Sequence, residues 1–166
     1  MPTDHPSSDD PSSDDPSTDR RPPIGAPTCR VGVDLTAVAD VEQSLATQGE
    51  RYLGRLFTEH EVASCQGVGG PRAESLAGRF AAKEAVVKVL RPSGARPEWR
   101  DIEVRQQASG ACDIVLHGGA AELAASEGID QLSVSLSHEA GLAVAVVVAW
   151  SFGTASPGAT DRGGEQ

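Results

Sequence analysis

The feature that most restricts the fold is a long helical segment in the middle of the chain. The pattern predicts a helix that begins at Pro71, a favourable first helical residue, and ends at Leu90, ahead of Pro92 and Gly94. Apolar side chains recur along it at helical spacing and form one stripe, at positions 76, 80, 87 and 90. A helix buries such a stripe against a core, so the rest of the chain is expected to pack around this segment.

Charged residues interrupt this apolar segment, among them Lys83 and Lys88, the only lysines in the 166-residue chain. Lys83 falls within the stripe, so its ammonium either reaches solvent along its own stem or meets an anion. Glu84 and Lys88 lie four residues apart at the border of the stripe. This spacing fits an exposed ion pair that stabilises the helix slightly, and it also fits two side chains that face a ligand.

The other segments predict an α+β fold with a largely antiparallel sheet. The elements expected before the long helix are a strand at 30–35, a helix at 38–48 after Thr36 as cap, and a short helix from a Thr58–Glu61 capping box to Ser64. Those expected after it are a hairpin of strands 101–105 and 112–116, an alanine-rich helix at 118–127, a strand at 132–137 and a strand at 142–150. The last strand is nearly all apolar, which predicts burial on both faces.

Both ends of the chain differ in composition from its middle. Residues 1–28 repeat Pro-Ser-Ser-Asp-Asp and carry six aspartates against two arginines, which predicts a disordered acidic segment. Such a run serves as a docking or solubility tail or as a spacer, and a spacer is the simpler interpretation. Residues 153–166, rich in Gly, Ser, Thr and Pro, indicate a second flexible end. The folded domain is therefore expected at 29–152.

Composition argues against several classes of protein. The formal net charge of −10 disfavours nonspecific nucleic-acid binding. No segment approaches the roughly 18 apolar residues of a membrane span, and the N-terminal residues lack the basic start and apolar run of a signal peptide. A cytoplasmic protein is therefore expected. The three widely spaced cysteines predict reduced thiols rather than a disulfide framework or a zinc site.

The sequence has no phosphate-binding loop, dinucleotide fingerprint or nucleophile elbow. The candidates for catalysis or ligand binding therefore lie at three places in the chain. They are Asp34 at a strand end, Glu84 with the two lysines, and His138 where the alternating strand ends. Asp34 and Glu84 offer the oxygen ligands that Mg²⁺ takes together with substrate phosphates, and cations beside carboxylates fit a diphosphate carrying its metal. Taken singly, Asp34 is better explained as a turn former and His138 as a surface histidine.

Four sequence blocks in series carry a family resemblance. They are Val31-Gly32-Val33-Asp34, the segment from Leu76 to Lys88, Trp99-Arg100-Asp101-Ile102-Glu103-Val104, and Ser135-Leu136-Ser137-His138-Glu139. Over roughly residues 30–150 the chain resembles the holo-acyl carrier protein synthase type of 4′-phosphopantetheinyl transferase. The Phe-x-x-Lys-Glu-Ala-x-x-Lys element of the second block is the most specific part of the match.

The resemblance implies transfer of the phosphopantetheine arm of coenzyme A to a serine of an apo acyl carrier protein, with release of adenosine 3′,5′-bisphosphate. Asp34 and Glu84 match the carboxylates that hold Mg²⁺ against the coenzyme A diphosphate, and Lys88 matches a lysine that contacts those phosphates. These three residues are counted as catalytic. Lys83 matches the lysine before the metal-binding glutamate and is counted with the residues that bind coenzyme A. The implied fold is a mostly antiparallel sheet packed against one long helix and shorter ones.

Three further residues match positions around coenzyme A. His138, after Ser137, matches a histidine near the nucleotide end, and Arg79 matches an arginine that faces phosphates or the carrier. The resemblance also implies a compact homotrimer whose active sites are shared between neighbouring subunits. In that arrangement His138 and Glu84 of one site come from different chains.

The sequence departs from the family just after Asp34. Relatives typically have a glutamate and then an arginine where this chain has Ala37 and Asp40, and a Gly-Thr-Gly where it has Pro92-Ser93-Gly94. The usual arginine would meet an acidic carrier helix, so Asp40 reverses a charge at the expected docking surface. We therefore expect a preference for a less acidic or dedicated carrier, such as one from a secondary-metabolite (polyketide) assembly line. A carrier of fatty-acid synthesis is the other alternative. The competing hypothesis is a non-catalytic subunit that binds coenzyme A or a carrier.

Overall fold

Five α-helices, one of them long, a short 3₁₀ helix (Trp99–Asp101) and seven strands build the part of the chain that the structure describes. The computed structural model describes residues 26–152. Residues 1–25 and 153–166 lie outside it, and so do the predictions made for them. The expected start of the folded domain at residue 29 is one residue late, because Thr28 already pairs with Ser151 in the sheet. The helices are α1 (Val38–Gln48), α2 (Glu50–Leu56), α3 (Glu59–Ser64), α4 (Ala73–Leu90) and α5 (Gly118–Ser126). The strands are β1 (Thr28–Ala37), β2 (Gln66–Gly67), β3 (Gly70–Pro71), β4 (Ile102–Gln106), β5 (Cys112–Leu116), β6 (Gln131–Glu139) and β7 (Leu142–Ser151).

The main sheet has β7 at its centre, with β1 and β6 on either side. Both neighbours pair antiparallel with β7, and the register places Asp34 opposite Ala145 and His138 opposite Ala143. β4 and β5 form a separate antiparallel hairpin, and β2 and β3 form a short antiparallel ladder. The α+β class, the antiparallel pairing and the hairpin are therefore confirmed.

Helix α4 packs on the inner face of the main sheet, and a glycine permits the close contact. A Cβ added at Gly32 of β1 would lie 2.1 Å from the carbonyl oxygen of Ala85 in α4, a distance that no side chain can occupy. The hydrophobic core lies on both sides of this helix. One cluster fills the space between α4, the main sheet, the hairpin and α5, and the other lies between α4 and helices α1 to α3.

Along α4, burial extends well beyond the single stripe that the sequence predicted. Between positions 76 and 90, the side chains that keep access to solvent are Phe80, Glu84 and Lys88, and all the others are buried. Their spacing of four residues places them on one line along the helix, which we call the solvent-facing strip. From Phe80 to Leu90, this strip is therefore the part of the helix that a ligand can reach.

The prediction that the last strand is buried on both faces is wrong for this chain. Ala143, Ala145, Val147 and Ala149 face α4 and are buried, whereas the alternate residues of β7 are half-buried or exposed. On the same outer side, Val31, Val33 and Leu35 of β1 are 58%, 48% and 60% exposed. We call this side of the sheet the outer apolar face. The strand is apolar on both sides, but the helix covers one of them.

Several element boundaries also differ from the predictions. The long helix begins at Ala73 instead of Pro71, because Pro71 pairs with Gln66 in the short ladder. Thr36 is the penultimate residue of β1 and caps nothing, since α1 follows Ala37 without a side-chain cap. Helix α2 was not predicted. The Thr58 capping box is confirmed, with both of its reciprocal hydrogen bonds. Along residues 26–152, none of the helices combines the length and the apolarity needed to span a bilayer.

Candidate active site

The solvent-facing strip lies beside the C-terminal part of β1, and this brings Lys88 to Asp34. The Lys88 ammonium donates to Asp34 Oδ1 at 2.8 Å and to the Val33 carbonyl oxygen at 2.6 Å. The Asp34 side chain is 18% exposed and that of Lys88 is 50% exposed. Among the ion pairs of residues 26–152, Lys88 is paired with Asp34 and not with Glu84. The exposed pair along the helix that the spacing allowed is therefore replaced by a contact between helix and strand.

A pocket of about 460 Å³ opens between this strip, the end of β1 and helices α1 and α2. We call it the carboxylate pocket, because Asp34 and Glu84 line it together with Asp40 of α1. Tyr52 of α2 and Phe80 contribute to the remaining wall. Burial raises the pKa of Tyr52, so its hydroxyl remains a hydrogen-bond donor at neutral pH. The pocket thus combines negative charge, a phenol and an apolar surface.

The donor set of the carboxylate pocket suits a hard divalent cation. Asp34 and Glu84 provide carboxylate oxygens, and the Thr36 hydroxyl donates to Asp34 Oδ2 at 3.3 Å. Within residues 26–152, no group of three or more His, Cys, Asp or Glu side chains is arranged to hold a metal ion. Mg²⁺ is commonly held by one or two carboxylates, with water and substrate phosphates completing its octahedron. The two carboxylates therefore fit Mg²⁺ that arrives with a phosphate-bearing ligand.

Lys83 lies outside this pocket, and the structure corrects its predicted place among the residues that bind a cofactor. Its side chain is fully buried, and its ammonium meets Glu61 at 2.8 Å. It also donates to the carbonyl oxygens of Trp99 at 2.8 Å and Ile102 at 2.5 Å, so all three N–H bonds are used. Burial lowers the pKa of Lys83, and the Glu61 carboxylate raises it part of the way back. Lys83 is a structural cation with no donor left for a ligand.

The anion that faces Lys83 was predicted only as a capping residue. Glu61 Oε2 accepts from the Thr58 backbone amide at 2.8 Å as well as from Lys83, and Oε1 accepts from the Val104 amide at 3.0 Å. The residue is fully buried. Glu61 therefore ties three elements together, namely α3, α4 and β4.

Glu103 on β4 is a second buried carboxylate in the same region. It accepts hydrogen bonds from Arg105 at 3.0 Å and from the Thr58 hydroxyl at 3.3 Å, and His117 Nε2 lies 2.9 Å from it. Burial alone raises the pKa of Glu103, but the hydrogen bonds from Arg105 and His117 outweigh burial and hold this pKa below its ordinary value. Glu103 is therefore kept ionised as part of the fold.

Arg79, Ser137 and His138 meet in a second pocket of about 250 Å³, between the N-terminal half of α4 and the end of β6. Arg79 is 4% exposed and donates to the Ser75 carbonyl oxygen at 3.1 Å and to the Ser64 hydroxyl at 3.0 Å. Its Nε is buried without a hydrogen-bond partner among residues 26–152. Ser137 and His138 are exposed. We call this second pocket the arginine pocket. It shares no lining residue with the carboxylate pocket, so the predicted site residues lie in two separate places within one subunit.

Two residues beside the carboxylate pocket were missed by the sequence analysis. Tyr52 belongs to α2, a helix that was not predicted because Gly49 and Gly54 interrupt its pattern. Arg96 lies in the loop after α4, with its Nη1 3.9 Å from Glu84 Oε2. No periodic pattern links a loop residue to a helix position, so sequence spacing carries no signal for this contact.

Comparison with known proteins identifies the family. The model of the 4′-phosphopantetheinyl transferase superfamily matches residues 30–147. The chain is 41% identical over 117 residues to the holo-[acyl-carrier-protein] synthase of Moorella thermoacetica. The aligned segment covers 70% of this chain and 90% of the relative. The same enzyme of Gloeobacter violaceus is 41% identical over 123 residues, or 74% of this chain and 93% of the relative. Among solved structures, Helicobacter pylori holo-[acyl-carrier-protein] synthase in complex with coenzyme A matches with a TM-score of 0.63 and 31% identity, covering 72% of this chain and 99% of that chain.

The chain therefore belongs to the 4′-phosphopantetheinyl transferase superfamily. Within it, the chain is an enzyme of the holo-[acyl-carrier-protein] synthase type, since relatives of that type match most of its length and are themselves covered almost completely. The resemblance carried by the four sequence blocks is confirmed.

Proposed function

We propose that this chain transfers the 4′-phosphopantetheine group of coenzyme A to a serine of an apo acyl carrier protein, in a reaction that depends on Mg²⁺. The products are the holo carrier and adenosine 3′,5′-bisphosphate. The observation that carries this proposal is the carboxylate pocket, where Asp34 and Glu84 lie together and Lys88 contacts Asp34. This arrangement offers metal ligands and a mobile cation at one place, as a diphosphate substrate requires.

The reaction exchanges one phosphorus–oxygen bond for another. The serine oxygen of the carrier bonds to the phosphorus next to pantetheine, and the bond from this phosphorus to the bridging oxygen of the diphosphate breaks. The serine proton is lost to a base or to solvent, and adenosine 3′,5′-bisphosphate leaves with the bridging oxygen. Since no enzyme nucleophile takes part, the protein contributes positioning and charge stabilisation.

Three side chains have defined tasks in this reaction. Asp34 and Glu84 would hold Mg²⁺, which when bound neutralises charge on the phosphate oxygens. Lys88 exchanges Asp34 for a phosphate oxygen and stabilises the charge that develops on the departing group. Its side chain is half exposed and its stem is flexible, so this short movement requires no change in the helix.

We propose that Arg79, Ser137 and His138 bind the nucleotide end of coenzyme A, and that each active site is shared between subunits of a homotrimer. The arginine pocket and the carboxylate pocket are separate within one chain, which supports contributions from two chains to one site. The outer apolar face supports assembly, because exposed patches of this kind mark interfaces. Leu35 belongs both to this face and to the wall of the carboxylate pocket, so a covering subunit would border the site.

Co-expression of two inactive variants tests the shared site. Glu84→Gln and His138→Ala should each lack activity when expressed alone. In mixed trimers, some sites combine the intact Glu84 of one chain with the intact His138 of another. Co-expressed variants should therefore regain a measurable fraction of wild-type activity, and no recovery in an assembled mixture would place both residues of a site in one chain.

We also propose that the preferred carrier has a docking helix less acidic than that of a housekeeping fatty-acid carrier. Asp40 and Glu42 are exposed on α1, and this helix has no basic residue. Asp40 also lines the carboxylate pocket, so a carrier serine must approach past it. Asp40→Arg should speed transfer to an acidic carrier. Comparable wild-type turnover of acidic and neutral carriers, together with no gain in this variant, would contradict the preference.

Release of adenosine 3′,5′-bisphosphate, followed by chromatography, tests transfer itself. Release should require an apo carrier and should stop when a chelator removes Mg²⁺. Coenzyme A binding without release on any carrier would favour a non-catalytic binding subunit. We place the reaction in the cytoplasm, which fractionation of expressing cells would check.

A further inference from the structure

Arg96 is a cation beside Glu84, which lines the carboxylate pocket, and the proposed reaction does not use it. Its Nη1 lies 3.9 Å from Glu84 Oε2, with the arginine side chain 63% exposed and the glutamate 24% exposed. Lys88 sits on the other carboxylate, Asp34, at 2.8 Å. Each of the two proposed metal ligands therefore has its own cation, one from helix α4 and one from the loop that follows it.

The contact between Arg96 and Glu84 is loose. At 3.9 Å it is longer than a hydrogen bond, and exposed ion pairs of this kind contribute little to stability. Within residues 26–152, the guanidinium of Arg96 makes no side-chain hydrogen bond, so its donors stay available beside Glu84. A residue that stabilised the fold would instead use these donors, as Arg30 does with Glu127 at 2.9 Å and with the Val89 carbonyl oxygen at 3.1 Å.

The backbone of Arg96 is nevertheless restricted. Pro97 follows directly, and a residue before proline is confined to extended conformations by the proline ring. Arg96 thus combines a constrained backbone, a mobile side chain and a position next to Glu84. The planar guanidinium binds phosphate oxygens in a bidentate manner, which a lysine ammonium cannot do.

We propose that Arg96 is a further substrate-binding residue, and that its guanidinium contacts the diphosphate of coenzyme A when the substrate occupies the carboxylate pocket. The inference rests on the proposed function. Mg²⁺ bound to Glu84 would weaken the attraction of this carboxylate for Arg96. The diphosphate would then be the stronger partner of Arg96. Lys88 and Arg96 approach the diphosphate from the helix and from the loop respectively.

Coenzyme A binding to the purified full-length chain, measured by calorimetry with Mg²⁺, tests the proposal. Hydrogen bonds to charged groups are strong enough that Arg96→Ala should weaken binding by about tenfold to a hundredfold. Arg96→Lys should recover part of the loss. Arg91→Ala is the matched control, because it removes the same charge from the same exposed loop and should change binding less than about threefold, given the weak screened effect of a remote surface charge.

Two outcomes would overturn the role of Arg96. Equal coenzyme A affinities of Arg96→Ala and the wild type would show that it does not contact the substrate. A loss seen with coenzyme A but absent with 3′-dephospho-coenzyme A would place it on the 3′-phosphate instead of the diphosphate. Failure of the wild type to bind coenzyme A at all would instead contradict the proposed function, so the two failures are distinguishable.

Discussion

The two lysines of this chain should respond in opposite ways to replacement by methionine. Lys83→Met removes the cation that lies 2.8 Å from Glu61 in a fully buried site, and it leaves that carboxylate without a counter-charge. Breaking a buried ion pair by removing one partner costs about 3–5 kcal/mol. Since domains of this size are stable by about 5–15 kcal/mol, the variant should unfold at a much lower urea concentration than the wild type.

Lys88→Met is the matched control, because Lys88 is on the same helix but half exposed. Exposed ion pairs contribute only about 0–1 kcal/mol, so the urea midpoint should move little. Transfer activity should nevertheless be nearly lost, since the variant lacks the cation beside Asp34. Urea unfolding followed by circular dichroism, together with the transfer rate of each folded variant, measures both effects.

The opposite pattern would assign the two lysines to the opposite roles. If Lys83→Met lost less than about 1 kcal/mol and bound coenzyme A weakly, Lys83 would be a ligand residue rather than a structural cation. Where Lys83→Met does not fold, the double variant Lys83→Met/Glu61→Gln removes both charges and should recover part of the stability, since the amide keeps one of the two oxygens that accept from backbone N–H groups. Absence of any recovery would show that the pair is not the source of the loss.

Three further predictions concern the metal ligands, the packing and the pH dependence. Glu84→Gln should abolish Mg²⁺-dependent transfer while leaving the urea midpoint nearly unchanged, because Glu84 lies on the solvent-facing strip. Gly32→Ala should destabilise the protein by at least about 1–3 kcal/mol in urea unfolding, since its Cβ would lie 2.1 Å from the Ala85 carbonyl oxygen. The depressed pKa of Glu103 contributes stability that is complete above the ordinary carboxyl pKa of 4.5 and is lost as pH falls through the folded-state value. Thermal unfolding from pH 6 to pH 3 should therefore show a steeper acid loss in the wild type than in Glu103→Gln.

The predictions for Glu84, Gly32 and Glu103 can each be contradicted by a defined result. Retained Mg²⁺-dependent transfer in Glu84→Gln would remove Glu84 from the site. Gly78→Ala is the packing control, because a Cβ at Gly78 meets nothing within 4 Å and should not destabilise the helix. Equal losses at Gly32 and Gly78 would show that close packing is not the cause. Parallel acid profiles of the wild type and Glu103→Gln would assign the acid loss to other groups.

Local patterns in the sequence predicted the elements that position the site. Periodicity predicted the long helix, and the capping box at Thr58 and Glu61 correctly predicted the start of a short one. Alternation predicted β6 and the β4–β5 hairpin. These signals depend on residues close in sequence, which is why they could be read without the fold. Asp34, Glu84 and Lys88 were singled out by residue type and by the family resemblance, and the structure brings them to one place.

Contacts distant in sequence could not be predicted in this way. Lys83 and Glu61 are 22 positions apart, and Glu61 already had a sufficient local explanation as a capping residue. The two alternatives for Lys83 were a path to solvent and a contact with an anion, and only the fold decides between them. Lys88 and Asp34 are 54 positions apart, so helical spacing favoured the wrong partner, Glu84.

The last strand shows another limit of pattern reading. β7 carries apolar side chains on both sides, so its sequence predicts burial but does not tell which side a helix covers. Its inward residues are mostly alanines, which suit the close approach of α4, whereas Val146 and Trp150 on the outer apolar face remain 37% and 38% exposed. In hindsight, the alternation of small and large side chains was the available signal.

Metal-dependent phosphopantetheine transfer at the carboxylate pocket can be measured from the intact mass of an apo carrier incubated with this chain, coenzyme A and Mg²⁺. The wild type should add the mass of one phosphopantetheine group to the carrier, and a chelator should prevent the gain. Glu84→Gln, folded and at equal concentration, should leave the carrier unchanged. A mass gain that survives the chelator would show that transfer does not need Mg²⁺. A gain that Glu84→Gln produces at the wild-type rate would show that Glu84 is not required for transfer.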